Sequence, residues 1–116
     1  MISTEEGALL VKKLLDEAIP VSAWLASGDG SHAAVRGFVD SFTSEVGLVV
    51  AAVRGNPGSS HNLCLFFGGA DNLRYFFGDK RDFADGAEEM AEKYGDTCIS
   101  IQALSSGSML VLFFKS

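Results

Sequence analysis

The sequence predicts an α+β domain: a leading helix, a set of strongly bent antiparallel strands curling into a small five-stranded barrel, and a helix-plus-hairpin tail. Three observations predict it. Apolar residues recur at helical spacing in two places, near the start and around Ala84 to Tyr94. Elsewhere the period is that of strands, with short apolar runs separated by glycine-rich turns. A glycine inside one run, Gly37, marks the sharp bend or bulge that lets a short sheet curl.

The first helix opens on Ser3 and Glu6, which have capping-box spacing. Leu10, Val11, Leu14, Leu15 and Ala18 then form one apolar stripe, Lys12, Lys13, Asp16 and Glu17 fill the wet side, and Pro20 ends the helix. Strands follow at Val21 to Ser27, Ala33 to Phe42 and Val46 to Val53, the last a nearly continuous apolar run. Gly28-Asp29-Gly30 supplies the first turn and Arg54 to His61 a loop. Asn62 to Phe67 and Leu73 to Gly78 are expected to pair around a glycine turn. A charged link then leads to the second helix, closed by Gly95, and a final hairpin runs from Thr97 to Leu104 and from Ser108 to Lys115. The order is α-βββββ-α-ββ. A length of 116 residues fits one domain, with residues 4–78 as the barrel and 82–116 as an extension.

A hydrophobic content of 47% against 21% charged residues indicates a packed globule. The net charge of −6 favours solubility and disfavours long-range attraction to nucleic acid or anionic lipid. Cys64 and Cys98 lie in apolar strand-like runs, not in a Cys-x-x-Cys pair, and read as buried reduced thiols. Glu5 and Glu6 stand where a signal peptide is uncharged, and the longest uncharged stretch is broken by Gln102 and a Ser-Ser-Gly-Ser turn. The expectation is a cytoplasmic protein with no membrane partner.

Three strands carry Phe-Phe: Phe66-Phe67, Phe76-Phe77 and Phe113-Phe114. Neighbours on a strand face opposite ways, so each doublet sets a ring on both sides of the sheet. Leaving one ring of each in water forgoes roughly 1.5–3 kcal/mol apiece. A short chain has few elements for two-sided cover, so self-association is expected to supply it.

The run from the first helix to Gly78 resembles the Sm-like family of small, SH3-like barrels. The first motif reads Val35-Arg36-Gly37-Phe38-Val39-Asp40-Ser41-Phe42-Thr43-Ser44-Glu45-Val46-Gly47-Leu48 and the second Phe66-Phe67-Gly68-Gly69-Ala70-Asp71-Asn72-Leu73-Arg74-Tyr75-Phe76. The resemblance covers about two-thirds of the chain. It implies a ring in which the fourth strand of one copy pairs with the fifth of the next, an interface at Cys64, Phe66, Phe67, Arg74, Phe76 and Phe77. It also implies single-stranded RNA as a second partner. Phe42 falls at the base-stacking position and Asp40 at the motif's Asp, whereas Ser44 stands where the family has Asn. Phe67 or Gly69 stands where the family has Arg.

Little else suggests chemistry. His32 and His61, the only histidines, sit beside turns without the further ligands a metal needs. Ser59-Ser60-His61 are adjacent and cannot form a triad, and no glycine turn continues into a Lys-Ser/Thr phosphate loop. Asp85, Glu88, Glu89 and Glu92 read as a solvated helix face. No cofactor is expected. The sequence reading is a non-catalytic, homo-oligomeric assembly module, with RNA binding through Phe42, or a small-molecule-binding barrel, as alternatives.

Overall fold

The computed structural model describes residues 2–30, 32–45, 48–55, 62–67, 73–79, 95, 97–104 and 106–115, with backbone alone for 4, 32–33, 44–45, 48–49, 62–67 and 79. The elements are α1 (Thr4–Asp16), β1 (Val21–Ala26), β2 (His32–Glu45), β3 (Leu48–Gly55), β4 (Asn62–Phe67), β5 (Leu73–Asp79), β6 (Thr97–Ala103) and β7 (Met109–Phe114). The expected second helix with its acidic face, His61, and the 56–60 and 68–72 turns lie outside the described residues.

Local signals account for each end of α1. The Ser3 side-chain oxygen accepts a hydrogen bond from the Glu6 amide at 3.1 Å, and Glu5 and Glu6 sit at the positive end of the helix dipole. At the other end Ala18 adopts φ 49°, and the Ala18 and Ile19 amides donate to the Leu15 and Leu14 carbonyls, a Schellman ending without its usual glycine. Val11 and Leu14 are buried on the sheet-facing side, each contributing about 1.5–3 kcal/mol.

All seven strands belong to one antiparallel sheet in the order β4-β3-β2-β1-β7-β6-β5. This overturns the expected five-stranded barrel with an appended tail, and the Sm-like architecture with it. The β6–β7 hairpin is no extension. It lies inside the sheet, with β7 paired to β1 and β6 to β5. The reason is composition: Leu110, Val111, Leu112, Phe113 and Phe114 are apolar on both faces, and such a run is stable only as an internal strand. With that hairpin inside the sheet, β4 and β5 do not pair with each other and stand at its opposite ends.

The sheet is nevertheless rolled. Flat, its seven strands span roughly 29 Å at ~4.8 Å per step. The five residues between β4 and β5 reach only about 20 Å even when extended. Consistent with this, β1 comes into contact with β4, three positions away in the sheet. α1 lies on the inner face against β2, β5 and β6.

The bulge in β2 is not where the sequence suggests. Gly37 stays in register, opposite both Val21 and Gly55, and the irregularity falls between Val39 and Ser41, at Asp40. Gly37 has a different role: a Cβ there would run into the Arg54 backbone carbonyl. Its absent side chain lets β2 and β3 approach. The extra residue at Asp40 switches the parity of β2, so that both Val39 and Phe42 join the inner core.

The inner core contains Val21, Ala23, Val35, Val53, Tyr75, Ile99, Ile101, Leu110, Leu112 and Phe114. A second cluster on the opposite face joins Cys98, Val111 and Phe113, with Trp24 and Met109 against it. Phe113 is 0% and Phe114 7% exposed, so one chain encloses both rings of that doublet. The premise that a partner must cover them fails for β7. Among the described side chains it survives on β5, where Phe76 is half-buried and Phe77 is 46% exposed; the β4 side chains are outside the described residues.

Candidate functional site

Of the three residues aligned with the RNA pocket, the two whose side chains are described, Asp40 and Phe42, do not converge. Asp40 projects from the bulge into solvent, its carboxylate 3.8 Å from Arg54 Nε on β3, a pair exposed at both partners and therefore of small energetic weight. Phe42 lies opposite Ala51, half-buried against the inner core. Ser44 pairs with Val49 in the backbone register, its side chain outside the described set. The sheet thus turns the aromatic plane inward and the carboxylate outward.

The interface residues fall into two groups at the two ends of the sheet. Cys64, Phe66 and Phe67 lie on β4, opposite Ala52, Val50 and Val49 of β3. Arg74, Phe76 and Phe77 lie on β5, opposite Gln102, Ser100 and Ile99 of β6. Arg74 is exposed, and Phe77 is one of three large apolar side chains exposed among the described residues, with Leu9 and Leu104.

The edge of β5 has a definite hydrogen-bonding character. The Ile2 amide donates to the Tyr75 carbonyl at 3.0 Å, and the two residues form an isolated antiparallel bridge. In an antiparallel ladder the N–H and C=O of one residue point to the same side and alternate along the strand. Leu73, Tyr75, Phe77 and Asp79 therefore aim their backbone groups away from β6, whereas Arg74, Phe76 and Gly78 aim theirs toward it. The Cys98 thiol, donating to the Gly78 carbonyl at 3.4 Å from the β6 side, fits that phase. Among the described residues Ile2 alone bonds to the outer edge, and it reaches only Tyr75.

Sequence reasoning missed Ile2 and Tyr75. Ile2 directly precedes the capping Ser3, where an apolar residue commonly staples to the fourth helical position. Here that position is Gly7, which has no side chain to offer. The Tyr75 ring takes the place instead: a Cβ at Gly7 would overlap its ring atoms. An apolar residue before the cap, followed by a glycine at the stapling position, was the available signal. Tyr75 is 1% exposed, its hydroxyl has no hydrogen-bond partner, and burial pushes its pKa up to about 12 from 10.0.

A cleft of about 330 Å³ opens at the β6–β7 turn, lined by Ala26, Gln102, Leu104, Ser108 and Met109 among others, with no titratable side chain among the described residues of its wall. Gln102 Nε2 donates to Met109 Sδ there at 3.5 Å. Among the described residues no three His, Cys, Asp or Glu side chains come together in a metal-binding group, and the Cys98 side chain is fully buried. No helix among them is long and apolar enough to cross a membrane. Compared with family models, curated proteins and solved structures, the chain matches none.

Proposed function

We propose that the protein is a non-catalytic assembly module whose β5 edge pairs with a terminal strand of a second copy. The observation that supports this reading is the outward phase of β5. Phe77 aims a backbone donor and acceptor outward that no described residue pairs with, beside a 46% exposed ring, so hydrogen bonding and apolar burial are offered at one place. The strand order supports it too, because β4 and β5 are the two ends of the sheet and each ends in a row of backbone groups. A second copy is the natural occupant of such an edge, since it carries terminal strands of matching length. Pairing β5 with β5 across a two-fold gives a dimer; pairing β5 with β4 of the next copy gives a larger closed or open assembly.

The test uses proline as a backbone probe. Phe77→Pro removes an N–H that points away from β6, so the β5–β6 ladder survives and the chain folds. The carbonyl of the incoming strand loses its donor and meets the proline ring. The expected result is an oligomer of the unmodified protein by light scattering at high micromolar concentration, and a folded monomer for Phe77→Pro. A monomer for the unmodified protein at that concentration overturns the reading.

A further inference from the structure

We infer that Ile2 is a built-in competitor for the β5 edge, so that assembly proceeds by displacing the segment before α1. The inference rests on the assembly reading and adds a control to it. Ile2 occupies the Tyr75 carbonyl by main-chain pairing, the same interaction an incoming strand would make. Its occupancy has a defined cost to the partner. In an antiparallel pair centred on Phe77, the next outward-facing positions are Tyr75 and Asp79, which meet each other's counterparts across the axis. With Ile2 in place both flanking pairs are closed, and only the Phe77 pair is left without a described residue in its way. With Ile2 displaced, both flanking pairs become available.

Ile2 is suited to that role because it is held weakly enough to leave. It makes one bridge outside any regular strand, and its side chain is only partly buried against the core. The helix behind it is anchored independently by the Ser3 cap and by Val11 and Leu14, so Ile2 can detach without unravelling α1. Such an edge cap also protects the separated copy from indiscriminate strand addition.

The experiment compares sedimentation velocity of the unmodified chain, Ile2→Pro and Phe77→Pro over a concentration series. Ile2→Pro deletes the competing N–H while keeping an apolar side chain, and its association constant should rise roughly five- to tenfold, the worth of one net hydrogen bond. An unchanged or lower constant for Ile2→Pro, while Phe77→Pro still weakens association, overturns the competition and leaves the assembly reading standing. Three monomers overturn the assembly reading itself. A readout without substitution guards against a misfolded variant: amide exchange in the unmodified chain. As concentration rises, the Ile2 amide should lose protection while the Phe77 amide gains it. Protection gained at both positions together overturns the proposal.

Discussion

Tyr75 joins the helix, the core and the sheet edge in one residue. Its ring fills the space left by Gly7, its carbonyl holds Ile2, and its hydroxyl is buried without a partner. An unsatisfied buried hydroxyl costs about 1–3 kcal/mol, so Tyr75→Phe, which keeps the ring and deletes the oxygen, should raise stability by about 1 kcal/mol in urea melts at neutral pH. The same residue sets an alkaline limit. Its pKa is raised by burial from 10.0 to about 12, so between those values the unfolded chain releases a proton that the folded chain retains. Stability is full below pH 10 and falls as pH rises toward 12, by about 2–3 kcal/mol at ~1.4 kcal/mol per unit. Tyr75→Phe should abolish that component, and the difference between the two pH profiles is the measurement that checks it.

At the scale of the element, the ending of α1 shows a compromise that substitution can expose. Ala18 holds φ 49° so that Ile19 can donate back to Leu14 and turn the chain into β1. A Cβ in that conformation costs about 1 kcal/mol, which glycine avoids. Ala18→Gly should therefore raise the urea midpoint by a corresponding amount with an unchanged denaturant slope; a lower midpoint would mean that the methyl group packs usefully. The elements themselves were legible in the sequence. Ser3 and Glu6 marked the start of α1, and alternation and glycine turns placed all seven strands within a few residues of where they lie. Pairing was not legible. Asn62–Phe67 and Leu73–Asp79 are adjacent in sequence and read as partners, but the apolar hairpin of β6 and β7 takes the inner edge of β5 and leaves β4 beside β3. Local patterns report which face a residue shows, not which strand it faces across the ladder. For the same reason Asp40 and Phe42, two residues apart, read as one pocket, until the bulge at Asp40 separates them.

At the scale of the molecule, the internal position of the β6–β7 hairpin decides which parts can fold alone. A barrel complete by Gly78 would be independent of everything after it. In this sheet β1 pairs with β7 and β5 pairs with β6, so removing the hairpin leaves β1 with one neighbour and β5 with none but Ile2. The loss in burial is decisive. Ile99, Ile101, Leu110, Val111, Leu112, Phe113 and Phe114 are all buried, and at about 1.5–3 kcal/mol each they represent roughly 10–20 kcal/mol. That exceeds or matches the entire stability of a domain this size, about 5–15 kcal/mol. A chain ending at Asp79 should therefore show no cooperative thermal transition and no dispersed amide spectrum. Adding the hairpin back as a separate peptide of residues 95–116 should restore both in part, because its two strands meet partners on either side. A well-folded 1–79 fragment would show that the first five strands close on themselves and that β6 and β7 are an addition after all.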